Sequence, residues 1–186
     1  MLIALQGAVS QGVLWGIMVL GVFITFRLLD IPDMTCDGSF ALGGCVCAVL
    51  IVNNNVDPLL AVLAVAIVAI LYWFFGTEIG SALRATGNNE YMIRALGVNT
   101  NTTKMIALVL SNALIGLSGA LICQSQKYAD IGMGTGAIVI GLAAIVIGEV
   151  LGRLLPGGLT QFSVRLASAV FGSVVSFLIR AIVLQL

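Results

Sequence analysis

The chain alternates between long apolar blocks and short polar islands that hold nearly all of its charged residues. The blocks are about 20 residues long, the length of α-helix that crosses about 30 Å of hydrocarbon. A shorter block, Ser39–Val52, suits a half-helix or a tilted helix whose start lies inside the protein. The pattern predicts an all-α, polytopic transmembrane bundle of about six segments, forming a single domain over residues 1–186. The five longer blocks are Leu2–Phe26, Pro58–Phe75, Met105–Cys123, Ala137–Leu151 and Leu166–Leu186.

Composition supports a membrane protein and argues against several function classes. Hydrophobic residues make up 60% of the chain and charged residues only 9%, whereas soluble domains carry about 25% charged residues. A net charge of zero argues against nucleic-acid binding. The absence of histidine removes the commonest metal ligand and general base. We therefore expect neither an enzyme nor a metal or cofactor site, and we interpret Cys36, Cys45, Cys47 and Cys123 as small buried residues.

The positions of the basic residues predict how the bundle is oriented. Arg27 lies in the first island, the island at 77–104 carries three basic residues, and Arg153 and Arg165 lie in the island before the last block. An alternating path puts these three islands on one side and leaves Lys127 on the other. The positive-inside rule makes the first side cytoplasmic and both termini external. If the short second block is re-entrant, this parity changes.

The longest polar island, at 77–104, predicts two short helices on one loop. The first covers Thr77–Ala85, with Thr77 or Ser81 as its N-cap. The second begins after Asn88 or Asn89 as N-cap and ends at Gly97, which is placed as the glycine that follows a helix.

The second of these helices carries an apolar face, because Met92, Ala95 and Leu96 fall at positions i, i+3 and i+4. A short amphipathic helix on a cytoplasmic loop can seat in a groove of a partner and pass movement to the spans. The alternative is a solvated connector that lies on the lipid headgroups. The pattern by itself leaves both interpretations open.

The same island resembles the cytoplasmic coupling loop of permeases in the branched-chain amino acid and sugar ABC importer family. The residues from Gly80 to Glu90 and from Arg94 to Asn99 are similar to the typical G-x-A-L-R-A-x-x-x-N, then A-x-x-x-G-[IV]-N. The resemblance implies that this loop docks on a separate ATPase subunit. The residues it assigns to coupling are Glu78, Arg84, Gly87, Asn89, Arg94, Gly97 and Asn99.

A second resemblance covers the segment from Asp33 to Gly44, which is similar to the family's D-L-[ST]-x-[DG]-G-[ST]-x-x-x-x-G-A segment. The stretch Phe23–Gly44 and the block starting at Ala137 most resemble the subgroup associated with aromatic amino acid uptake. Three aspartates within eight residues indicate a wetted, protein-lined site, because charge is costly in lipid. We therefore name a candidate translocation pathway. Its residues are Asp33, Thr35, Asp37 and Ser39.

The start of the short second block allows two interpretations. In both, Asp37 or Ser39 caps the free N–H groups of its own helix. In the first, the start of this helix faces a cavity and attracts a substrate carboxylate. In the second, the capped helix simply begins at the membrane interface.

Two further sets of charged residues also leave alternatives. Glu149 either pairs with Arg180 or sits at the cytoplasmic end of its span, while Arg180 otherwise snorkels outward. Lys127, Tyr128 and Asp130 either face an extracellular binding protein or form an ordinary surface link.

The family resemblance implies the permease subunit of an ATP-driven importer in the bacterial cytoplasmic membrane, moving a small, amino acid–like solute by alternating access. Because no G-x-x-x-x-G-K-[ST] phosphate loop occurs in the chain, ATP hydrolysis is expected on an ABC ATPase subunit. Further expected partners are a second permease copy, identical or similar, an extracellular substrate-binding lipoprotein, and membrane lipid. The chain is expected to be shorter than family members, which raises an alternative of a non-transporting bundle subunit. A non-ABC channel or secondary carrier is the other alternative.

Overall fold

The described part of the chain consists of helices joined by short links, as the computed structural model of residues 2–54, 74–154 and 162–183 has it. The predicted all-α fold class is confirmed. A π-helical segment, Phe23–Leu28, continues the first helix, and a 3-10 turn, Ile131–Gly134, precedes the sixth. The helices are α1 (Leu2–Val22), α2 (Cys36–Asn54), α3 (Glu78–Asn88), α4 (Glu90–Ala95), α5 (Thr100–Gln126), α6 (Ala137–Leu154) and α7 (Phe162–Val183).

Four stretches within these residues are long and apolar enough to cross a membrane. They agree with four of the predicted blocks, although α5 begins at Thr100 because Asn99 caps its first turn. The predicted block Pro58–Phe75 lies outside the described residues except for its last two. The four stretches are Leu5–Leu28, Thr100–Gln126, Ile131–Arg153 and Val164–Val183.

One face of α6 shows why these helices belong in lipid. Val139, Val146 and Val150 recur at helical spacing and are 70%, 60% and 57% exposed. Such a stripe would be unfavourable in water, whereas hydrocarbon solvates it without cost. The opposite face of α6 packs on α1 and α7.

Helix α1 is central to the bundle, because it packs against α5, α6 and α7. Serine hydroxyls on its neighbours donate to its backbone carbonyls: Ser111 to Gly21 at 2.8 Å, Ser118 to Leu14 at 2.8 Å and Ser173 to Gly12 at 2.6 Å. Small residues at these contacts let the helix backbones approach closely. Inside the bundle, packing and hydrogen bonds thus replace the hydrophobic driving force that lipid does not provide.

The start of α2 lies inside the bundle, as predicted for the short block. After the π-helical segment the chain turns back, with the N–H groups of Leu29 and Ile31 bonded to carbonyls of that segment. Thr35 and Ser39 then contact Asn112, which lies about 18 Å along α5 from Thr100 at 1.5 Å per residue. Helix α2 therefore begins beside the middle of α5.

Candidate functional site

The three basic islands meet at one end of the bundle. Arg27 of the π-helical segment, Arg84 of α3 and Arg165 of α7 line the same cavity. Lys127 follows the last residue of α5, at the opposite end of that helix. We call the end that carries the three arginines the basic end. The alternating path through the membrane requires this separation of the three basic islands from Lys127.

The predicted coupling loop, residues 77–104, begins with α3, which is capped as predicted. The Thr77 hydroxyl accepts from the Gly80 N–H at 3.3 Å, and the helix extends to Asn88, beyond the predicted end at Ala85. Gly87 packs so closely on the Leu28 carbonyl that a Cβ at position 87 would overlap it. Gly87 therefore lets the coupling loop touch the end of the first span.

Three other predicted coupling residues shape the corners of the loop. The Asn89 side chain accepts from the Met92 N–H at 3.1 Å and caps α4, which settles the predicted choice of cap. Gly97 has a φ of +87°, a left-handed conformation that glycine adopts without strain. Asn99 caps α5 by accepting from two backbone N–H groups of its first turn. These residues set the path of the backbone.

Arg94 belongs to a polar clamp that fastens α4 to the first turns of α5. Glu90 accepts through one oxygen from Arg94 at 3.1 Å and from the Thr100 hydroxyl at 3.2 Å. Its other oxygen accepts from Lys104 at 2.5 Å. Arg94 also donates to Thr100 at 3.0 Å. We call Glu90, Arg94, Thr100 and Lys104 the clamp.

The free surface of the loop is the apolar tip formed by Tyr91, Met92 and Leu96. These side chains are 82%, 60% and 68% exposed, whereas Ile93 turns inward. The predicted apolar face, which also includes exposed Ala95, is thus open. Tyr91 was not predicted, although its position beside Met92 on the short helix was a usable signal.

The remaining two predicted coupling residues face in different directions. Glu78 is exposed in the first turn of α3, where a carboxylate suits the positive end of the helix dipole. Arg84 instead lies with its guanidinium over the Phe162 ring, 4.8 Å from the centroid. The structure therefore does not bring all seven predicted residues onto one docking surface.

A second polar group, which we call the Asn112 cluster, lies at the middle of α5. The Asn112 amide donates to Asp33 at 2.8 Å, and its oxygen accepts from Ser39 at 2.5 Å. The Thr35 hydroxyl donates to Asp33 at 2.6 Å. Three of the four predicted pathway residues thus meet at Asn112. Sequence reasoning missed Asn112, although a lone amide inside an apolar span was a signal for it.

The fourth pathway residue, Asp37, lies apart from this cluster. Its carboxylate accepts from the Ile138 N–H at 3.1 Å, in the first turn of α6. The prediction that Asp37 or Ser39 caps α2 is wrong, because α2 begins at Cys36 and both side chains bond to other helices. Asp37 instead satisfies one of the free N–H groups at the start of α6.

Of the two alternatives for Glu149, the pair with Arg180 is wrong, and the position at the end of its span where the basic islands meet is the one found. Glu149 makes a bidentate ion pair with Arg27, at 2.5 and 2.7 Å, so it lies at the basic end. Arg180 is near the other end of α7, about 27 Å from Phe162 at 1.5 Å per residue, and lies over the Phe177 ring.

The link after α5 is open to its surroundings. Lys127, Tyr128 and Asp130 are exposed, and their contact with a binding protein stays a prediction. Cys36 and Cys123 are buried, but Cys45 is only half-buried, contrary to expectation. The side chain of Cys47 lies outside the description.

Comparison with known proteins decides the family. A family model described as branched-chain amino acid transport system / permease component matches residues 51–186. The chain belongs to this family. It is thus an ABC importer permease and a multi-pass protein of the cytoplasmic membrane, as predicted, and not a channel or carrier of another class.

Individual relatives are transport permeases. The chain is 29% identical to the tyrosine transport system permease protein of Clostridioides difficile, covering 75% of this chain and 70% of the relative. It is 31% identical to the ribose import permease protein RbsC of Escherichia coli K12, covering 52% of this chain and 29% of the relative. No solved structure matches the chain.

The alignment with the tyrosine permease also bears on chain length. It extends over 209 positions, more than the 186 residues of this chain. The relative therefore has residues inside the matched region that this chain lacks. This agrees with the expectation that the chain is shorter than family members.

The clamp predicts a dependence on acid pH. The hydrogen bond from Lys104 holds the pKa of Glu90 below its ordinary value of 4.5; partial burial opposes this shift, and the positive charges of Lys104 and Arg94 support it. A lowered pKa means that the clamp stabilises α4 fully above pH 4.5 and is lost as the pH falls through the lowered pKa. Amide hydrogen exchange across 90–96, corrected for intrinsic rates, should accelerate in that range. In Glu90→Gln the same amides should exchange fast already at pH 7; equal protection in both proteins would refute the clamp.

The Asn112 cluster predicts a selective cost for losing the Asn112 side chain. Asn112→Ala leaves Asp33 and the Ser39 hydroxyl without their partner, so we expect a loss of about 1–3 kcal/mol, measured as a lower thermal unfolding midpoint in detergent. Asn101→Ala removes an exposed amide from the same helix and should leave the midpoint unchanged. Equal midpoints for the two variants would contradict this interpretation.

Proposed function

We propose that the chain imports an amino acid by alternating access, driven by a separate ATPase that docks on the apolar tip. The observation that carries the proposal is the attachment of this exposed tip to α5, the helix whose middle holds the Asn112 cluster. Within this domain the loop at 77–104 is the coupling element.

The apolar tip has the character of a docking surface. Tyr91 and Met92 project from the short helix α4 and Leu96 from its C-cap, all at the basic end. Large exposed apolar side chains on a short cytoplasmic helix suit insertion into a groove of a partner protein. Three of the predicted polar coupling residues stabilise the loop that carries this surface. Asn89 and Asn99 cap its helices, and Arg94 belongs to the clamp.

Two attachments pass movement of the tip to the spans. The clamp holds α4 on α5 through Lys104 and Thr100. Gly87 holds the end of α3 on Leu28, at the end of the first span. A force on the tip would therefore reach α1 and α5, which are packed on each other.

The solute pathway is proposed to pass the start of α2. Thr35 is exposed and Ser39 and Asp37 are half-buried, so these groups are available to a polar solute. Asp33 is 7% exposed and already bonded to Thr35 and Asn112, which favours a positioning role. Because the cluster joins α2 to α5, movement of α5 would change the spacing of these groups.

The proposed cargo is an aromatic amino acid. Support comes from the tyrosine transport permease, which aligns with three quarters of this chain. The proposal includes a second permease copy and an extracellular binding lipoprotein, for which exposed Lys127, Tyr128 and Asp130 form a candidate contact.

Disruption of the apolar tip should abolish ATPase binding. We expect Met92→Asp with Leu96→Asp to reduce the ATPase recovered with the affinity-purified permease at least about tenfold, because charge replaces buried apolar contacts. Tyr128→Asp places the same charge on a 59% exposed side chain in the link at the opposite end of α5, outside the span stretches, and should leave recovery unchanged. Full recovery with the double variant would overturn the docking assignment.

Transport itself tests the cargo. The complex that co-purifies with this chain, reconstituted in vesicles with its binding protein and ATP, should accumulate labelled tyrosine, and excess phenylalanine should compete while excess ribose should not. Accumulation should cease with a non-hydrolysable ATP analogue. Uptake of ribose with no uptake of tyrosine would refute an amino acid cargo.

A further inference from the structure

A cavity of about 410 Å³ lies at the basic end and is lined by cationic residues from three elements. Arg27 comes from the π-helical segment, Arg84 from α3 and Arg165 from α7. Ser81 and Asn88 add a hydroxyl and an amide, and among the described residues that line the cavity none is acidic. Its chemistry therefore suits an anion.

The arginines differ in how far their charge is already compensated. Arg27 is paired with Glu149 and has Asp30 within electrostatic reach. Arg84 lies over the Phe162 ring, and its Nε is enclosed without a hydrogen-bond partner among the described residues. Arg84 as a whole is only half-buried and lines the cavity, so an anion there would compensate the charge of its guanidinium group.

The depth of the cavity indicates where such an anion comes from. Arg27 is one residue from the end of the stretch Leu5–Leu28, and Arg165 one residue inside the start of Val164–Val183. The ends of membrane spans lie in the headgroup layer. Basic pockets between spans on the cytoplasmic side bind anionic lipid headgroups, and arginine matches phosphate with paired hydrogen bonds.

We infer that this cavity binds the phosphate of an anionic phospholipid headgroup. The bound phosphate would bridge α3 of the coupling loop to the spans that carry Arg27 and Arg165. An acidic side chain of the ATPase is the competing occupant. It is disfavoured because the exposed docking residues are on α4, whereas the cavity is at the span ends. The inference rests on membrane embedding and not on transport.

Lipid retention by the isolated full chain tests this inference. The permease, purified in detergent without ATPase and supplied with phosphatidylglycerol or phosphatidylcholine, is examined by native mass spectrometry. We expect retention of phosphatidylglycerol over phosphatidylcholine, and a reduction of that retention by about tenfold in Arg84→Gln, which loses a charged donor. Arg165→Gln should give a similar reduction.

The matched control is Arg153→Gln, which removes an exposed arginine at the same end that does not line the cavity. It should retain the lipid as the unchanged chain does. Equal retention in all variants, or equal loss in Arg153→Gln, would overturn the site, provided that each variant stays monodisperse and helical.

Two additions separate the possible sources of the anion. Inorganic phosphate at millimolar concentration should not displace the lipid, and purified ATPase should bind while the lipid is retained. Displacement by phosphate would identify a free-anion site, and displacement by the ATPase would identify a protein contact. Either result would refute the lipid assignment and leave the docking of the apolar tip as a separate question.

Discussion

The absence of hydrogen-bond partners in hydrocarbon is the constraint on which this structure depends. After the first span the chain turns back between the helices, and α2 begins beside the middle of α5. That arrangement brings Asp33, Thr35 and Ser39 to membrane depth. Asn112 makes it tolerable, because its single amide donates to the carboxylate and accepts from the Ser39 hydroxyl.

The same constraint explains how the helices pack. Serines on α5 and α7 donate to carbonyls of α1, and glycines at these contacts let the backbones come close enough for those bonds. At the start of α6 the free N–H group of Ile138 is satisfied by Asp37 of another helix. Each polar contact thus fixes one helix relative to another, and the apolar faces are left to lipid.

The loop at 77–104 joins this bundle at the basic end, where charged groups collect. Ion pairs of Glu90 hold it there, just as Arg27 pairs with Glu149 at the same end, whereas deeper in the bundle the spans contact each other through serine and glycine. Glu90 holds α4 on α5, and Gly87 sets α3 on Leu28. The apolar tip is therefore exposed yet firmly attached, which suits the docking role proposed for it. The three-arginine cavity lies between this loop and the spans, where a bound phosphate would add a third attachment.

The sequence by itself determined the features that depend on neighbours a few residues away. Span positions, the caps at Thr77 and Asn89 and the turn at Gly97 follow from local hydrogen bonding, backbone preference and apolar block length. The family resemblance pointed to residues 77–104 as the proposed coupling loop but did not indicate its exposed face. Only the tertiary structure decided that Asp37 bonds to Ile138, that Glu149 pairs with Arg27 and that Asp33 meets Asn112. Those partners are 101, 122 and 79 residues apart, so no local pattern specifies them, and helix packing alone brings them within reach.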